Sequence, residues 1–131
     1  ICTNETLIAL MGAMHMSLLG PEGLQKLAQR NMAACQLAKK KLSEIPTIAI
    51  PHAMNCHFNE FVVELPGSAS DCIAYLDTQG LIGGYDLSNW YPQRRNWLLV
   101  SFSDQTKATE IELLTAHLAV WSASVSPGVS A

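Results

Sequence analysis

The apolar positions between Glu5 and Leu19 do not form a stripe. Leu7, Ile8, Leu10, Met11, Met14, Leu18 and Leu19 wrap nearly the whole circumference of a helix, and such a helix has to be covered on most of its sides. A chain of 131 residues is poorly equipped to do that alone, so part of this helix is expected to meet another domain or subunit. Gly20-Pro21 punctuates the run, because glycine closes a helix with a positive φ and proline suits the first turn of the next. Over residues 21–44 the pattern becomes regular. Leu24, Leu27, Ala28, Asn31, Cys35, Ala38 and Leu42 recur mainly at three and four, with Asn31 the one polar member. Lys26, Gln29, Arg30, Lys39, Lys40 and Lys41 lie on the other side, read as a solvated face whose last lysines favour the negative helix end.

The spacing then changes. Pro46 and Pro51 bracket a β-prone run, 47–50, that reads as an edge strand. In residues 59–65, Phe61, Val63 and Leu65 share one face while Glu60, Val62 and Glu64 share the other, the signature of a half-buried strand. A helix over 69–79 offers Cys72, Ile73 and Leu76 inward and stops at Gly80. Leu81-Ile82 is read as a very short strand, 85–96 as an aromatic loop, and 97–102 as a buried strand. The last helix, over 106–122, presents Ile111, Leu114, Leu118 and Trp121 on its inner face. This order predicts an α+β sandwich with a mostly antiparallel sheet packed against helices. One domain is expected over 1–123, with a tail over 124–131.

Composition removes several classes. The chain is 49% hydrophobic and 15% charged, within the globular range and away from disorder. Eight Lys and Arg against eleven Asp and Glu leave a formal net charge of −3, without the basic excess that a run of phosphates demands. Nucleic acid is not an expected partner. The longest apolar run, 7–19, is interrupted by Gly12, His15 and Ser17 and reads as too short and too polar to span a bilayer; nothing resembles a secretory leader. Cys2, Cys35, Cys56 and Cys72 form no CxxC pair, which fits a reducing cytoplasm. The chain opens at Ile1, already at a helix-start signal, Thr3-Asn4, and reads as a piece of something longer.

Candidate chemistry is sparse. His52, Cys56 and His57 lie within six residues but lack a partner pair at zinc-ligand spacing, so a plain loop is the better reading. Gly80, Gly83 and Gly84 lack the order of a phosphate loop and suit turns. His15 and His117 read as core histidines. Arg94-Arg95, after Trp90-Tyr91-Pro92, reads as a solvated turn more readily than as an anion clamp. Asn59-Glu60, at the opening of the central strand, could orient a ligand, pair across an interface or simply face solvent. The lysines are Lys26, Lys39, Lys40, Lys41 and Lys107. All are expected on exposed helix faces or ends, and none looks desolvated enough to form a covalent link to a carbonyl.

Four blocks in order carry a family resemblance: Ile1-Cys2-Thr3-Asn4-Glu5, Leu18-Leu19-Gly20-Pro21-Glu22-Gly23-Leu24, Phe58-Asn59-Glu60-Phe61-Val62-Val63 and Gly83-Gly84-Tyr85-Asp86-Leu87. Tyr91-Pro92 and Asn96-Trp97-Leu98-Leu99-Val100 extend them. Together they resemble the C-terminal part of subunit 1 of glycine dehydrogenase (decarboxylating), the P-protein of the glycine cleavage system, from Ile1 to about Leu118. The sequence departs from the family pattern at Glu5, at Cys56-His57 and at Gln93-Arg94-Arg95.

The resemblance implies the small C-terminal α+β domain of the aminotransferase-like, fold type I pyridoxal phosphate enzymes. It implies decarboxylation of glycine on pyridoxal phosphate, with the aminomethyl group passed to the lipoylated H-protein. The cofactor lysine is implied on subunit 2 of the P-protein, outside this chain, so no catalytic, cofactor-binding or metal residue is assigned here and the piece alone is expected to be inactive. Thr3, Asn4, Asn59 and Glu60 are the residues expected near the substrate channel or the subunit interface. The alternative is a free-standing ferredoxin-like regulatory or small-ligand-binding domain, suggested by the order of elements after residue 58.

Overall fold

The structure is a computed structural model and describes residues 5–125. Thr3, Asn4, Cys2 and the tail from Ser126 lie outside the described residues. The elements run α1 (Thr6–Ser43), β1 (Glu60–Glu64), α2 (Ala69–Thr78), β2 (Tyr85–Asp86), a 3-10 turn (Leu87–Asn89), β3 (Trp97–Ser101) and α3 (Ala108–Ser124). The three strands form one antiparallel sheet in the order β1-β3-β2.

α1 is two helices joined at a break. Gly20 sits at φ 62°, ψ −176°, a region essentially closed to residues with a Cβ, and Pro21 opens the second half. That second half supplies Cys35, Ala38 and Leu42 to the core. The first half does not reach the core: residues 5–18 are all exposed, with Leu18 at 87% and Leu7 at 67%. His15 lies among them, exposed rather than in a core. Taken as one element, α1 also contains a stretch long and apolar enough, at mean hydropathy 1.2, to cross a bilayer by length and composition. The sequence reading ended that run at Leu19; continuing past the break lengthens it.

The sheet packs one face on the helices. Phe61 pairs with Val100 and Val63 with Leu98, and all four are buried against Leu42, Leu76, Ile111 and Leu118 in a single core. The Phe61 and Phe102 rings stack at 5.9 Å. The outer face, with Val62, Glu64, Trp97 and Leu99, is half-buried. Burial of this order, at about 25 cal/mol per Å² of apolar surface, is what drives such a sandwich to close. Asn96 seals one end, its Nδ2 donating to Leu65 O at 3.0 Å while its carbonyl accepts from Leu65 N at 2.9 Å.

Three expected element boundaries change. The run 47–50 contributes a single bridge, Ala49 to Glu64, because the flanking prolines prevent a ladder from extending. Leu81-Ile82 is not a strand; the pairing residues are Tyr85 and Asp86, within the segment read as loop. The break between these readings is Gly83-Gly84, whose backbone presses against the sheet. A Cβ at Gly84 would lie 2.4 Å from Leu99 O, at φ 145°. α3 starts two residues later than expected and reaches Ser124, while Lys107 N donates to the Glu110 carboxylate at 2.8 Å to cap it.

Gly84→Ala should therefore cost about 3 kcal/mol or more, backbone strain adding to overpacking. Gly80→Ala, at φ 72° with nothing within 4 Å, should cost only about 1–2 kcal/mol. Urea melts of the two variants check the difference.

Candidate functional site

Asn59 and Glu60 stand where β1 begins and β3 ends. Glu60 is exposed opposite Ser101, and Asn59 O accepts from Phe102 N at 2.7 Å. That bond closes the ladder and leaves both side chains at the rim. Loop 103–106 continues the rim. Ser103 N donates to Thr106 Oγ1 at 2.9 Å, and Asp104 N donates to Asn31 Oδ1 at 3.1 Å. Asn31, the polar member of the α1 stripe, also donates to Leu27 O at 3.0 Å; it joins the helix to the rim. Of the four residues expected near a channel or interface, Asn59 and Glu60, neighbours in sequence, lie at this rim, while Thr3 and Asn4 lie outside the described residues.

The segment entering that rim is held by a group the sequence reading placed in solvent. Lys39 is half-buried, and its ammonium donates to Ala53 O at 2.5 Å, Asn55 O at 3.3 Å and His57 Nδ1 at 3.1 Å. These contacts engage all three of its protons. The loop turns back to meet it at His52, which takes φ 61°, with Asn55 N bonded to His52 O at 2.8 Å. The His57 ring rests 5.9 Å from Phe61. Since Lys39 donates to Nδ1, the neutral His57 carries its proton on Nε2. Burial, then the Lys39 and His52 charges, push His57 below the usual imidazole range.

The cysteines differ in environment. Burial pushes the Cys72 thiol up to about 12 and Cys35 upward as well, while Cys56 is exposed. Among the described residues no group of three or more His, Cys, Asp or Glu could hold a metal. His117 is half-buried and its Nδ1 lies 3.3 Å from Tyr75 Oη, a structural pairing between α2 and α3.

A groove of about 560 Å³ runs along β3 where β2 ends, lined by Gly83, Gly84, Leu99, Phe102, Thr106 and Leu114 among others. No lysine lines it. Lys39 is engaged as above, Lys41 pairs with Glu112 at 3.3 Å, and Lys26, Lys40 and Lys107 are exposed. The residues present therefore do not fit pyridoxal phosphate, which needs a free, desolvated amine.

The comparisons with known proteins agree with this picture of a part. The family described as "Glycine cleavage system P-protein" matches residues 1–118, and the chain belongs to that family. Within it, the chain is 35% identical over 124 residues to the probable glycine dehydrogenase (decarboxylating) subunit 1 of Thiobacillus denitrificans, covering 90% of this chain and 26% of that protein. The namesake in Nitratidesulfovibrio vulgaris is 34% identical over 119 residues, with the same two coverages. Among solved structures, an inhibitor-bound glycine decarboxylase (P-protein) of the glycine cleavage system superposes with a TM-score of 0.80 at 29% identity. It covers 92% of this chain and 27% of that one. The chain spans about a quarter of the length of the curated relatives it matches. These matches do not favour a free-standing ferredoxin-like domain.

Lys39→Met should loosen the 52–58 loop. The three contacts together are worth about 1 kcal/mol at a partly solvated site, so amide exchange there should rise roughly fivefold. The His57 contribution is fully present above its unfolded pKa of about 6.5. Below it the unfolded chain takes up the proton first, and the contribution is lost as pH falls through the lower folded value. Exchange in the loop, corrected for intrinsic rates, should rise on acidification and become acid-insensitive in His57→Phe.

Proposed function

We propose that this chain is the C-terminal small domain, residues 1–123, of subunit 1 of a glycine-decarboxylating P-protein. In this reading it supplies scaffold and contact surface for an active site whose reactive amine belongs to subunit 2. The observation that carries the reading is the first half of α1: an apolar helix whose residues 7–18 stay exposed among the described residues, in a chain spanning about a quarter of its relatives' length. The remaining polypeptide or the partner subunit covers it. A bilayer is a poorer cover, because the Gly20 break interrupts the backbone ladder that a lipid-embedded helix has to satisfy internally.

The disposition of the lysines supports the division of labour. When bound in the intact enzyme, pyridoxal phosphate supplies a ring that delocalises the negative charge left as carbon dioxide departs from glycine. This chain contributes the rim. Asn59 and Glu60, with Thr3 and Asn4, are the residues proposed near the substrate channel or the subunit contact. The Lys39 contacts hold the loop that leads into Asn59. The lipoylated H-protein receives the aminomethyl group, and the complex works in the cytoplasm as a hetero-oligomer.

The test is copurification of the full-length chain with subunit 2, followed by an assay of carbon dioxide exchange into glycine. Exchange in the mixture alone is the expected result. Exchange by the chain unaided, with a borohydride-reducible cofactor linkage on one of its own lysines, would overturn the reading. In the active mixture Glu60→Gln or Asn59→Ala should slow exchange about 10- to 100-fold if each makes one charge-assisted hydrogen bond.

A further inference from the structure

Away from the rim and from α1, one patch has the composition of a protein-binding hot spot. Trp90 is 73% exposed, Tyr85 and Tyr91 about half, and Ile82 is 96% exposed beside them. Arg94 and Arg95 follow directly. Trp, Tyr and Arg are the residue types that dominate binding energy at protein interfaces. Large aromatic groups exposed together on one small surface are otherwise costly to leave in water.

The patch is built rather than frayed. Trp90 Nε1 donates to Tyr85 Oη at 3.2 Å, tying the indole to β2. Successive backbone bonds fix the turn: Tyr91 N to Leu87 O at 2.8 Å, Arg94 N to Tyr91 O at 2.8 Å and Trp97 N to Arg94 O at 3.1 Å. The Arg94 guanidinium lies 4.8 Å from the centre of the Trp97 ring, and Tyr91 packs on that ring at 6.1 Å. Arg95 O is anchored by Ala69 N at 2.8 Å, while its side chain borders a polar recess of about 370 Å³ with Ser68, Ser70, Asp86 and Ser88. The hydrogen-bonded turn leaves little backbone freedom to lose on binding, which favours affinity.

The charges choose the partner. The chain is acidic as a whole, yet neither Arg94 nor Arg95 forms an ion pair among the described residues, where the pair formed is Lys41–Glu112. The nearby acid, Asp86, is occupied in accepting from Ser88 N at 2.8 Å. Two arginines consecutive in sequence on a hydrogen-bonded turn, Arg94 stacked on Trp97 and Arg95 bordering the polar recess, match carboxylates presented on a protein segment with apolar side chains between them. We propose that the surface formed by Tyr85, Trp90, Tyr91, Arg94 and Arg95 docks an acidic segment of a partner protein. This goes beyond the scaffold role and rests on that reading only for the assembly in which it is tested.

The test uses the full-length chain in complex with its partner subunit, and fluorescein-labelled deca-glutamate as the probe, read by anisotropy at low and physiological ionic strength. Binding should weaken with salt. Arg94→Gln with Arg95→Gln should weaken it about tenfold or more, and Trp90→Ala about tenfold, the size of one hot-spot contact. The remote pair Lys26→Gln with Arg30→Gln should leave binding unchanged. Equal loss in the remote pair would reduce the effect to bulk charge and overturn the proposal. So would failure of acrylamide to quench Trp90 in the intact complex, which would mean that the protein's own polypeptide covers the patch.

Discussion

A helix that is apolar around its whole circumference is stable only where something else surrounds it. That constraint governs the reading of this chain. From Leu24 onward α1 behaves as an ordinary amphipathic helix and gives Cys35, Ala38 and Leu42 to the core. Before Gly20 the same element gives the core nothing. The glycine is the joint between the half that packs into this domain and the half that we propose attaches it, and its backbone angles set the direction in which that first half leaves.

The small sheet follows from the same division. Three strands bury one face on α1, α2 and α3, which suffices for one core and leaves the rim at Asn59, Glu60 and loop 103–106 open to whatever lies beyond. The rim is firmly built, through Asn31 to loop 103–106 and through Lys39 to the 52–58 loop. A firmly held rim is what precise positioning of a neighbouring group requires, the role proposed for it here.

Much of the fold was legible because its periods were clean. The alternation of Phe61, Val63 and Leu65 and the spacing of Ile111, Leu114, Leu118 and Trp121 each have one structural solution. β2 was misplaced because a two-residue strand has no period to read, and the close approach of Gly84 to Leu99 O is visible only once the sheet exists. Lys39 was missed for a different reason. It sits in a lysine triplet at a helix end, where solvation is the ordinary explanation, and two of its three partners are backbone carbonyls that leave no trace in the sequence. The exposure of the first half of α1, by contrast, was foreshadowed as a violation: too many apolar positions for one domain to hide.

The most direct measurement is peroxide oxidation of methionines in the intact protein, followed by mass spectrometry, with the fully exposed Met54 as internal standard. Met11, Met14 and Met16 are each more than half exposed in this chain, so without cover they should oxidise at rates within about a factor of two to three of Met54, in proportion to accessibility. The account predicts that they are slower by about tenfold or more, because the attaching half of α1 is buried against the rest of the enzyme. Oxidation of all four at comparable rates in the assembled, active protein would contradict it.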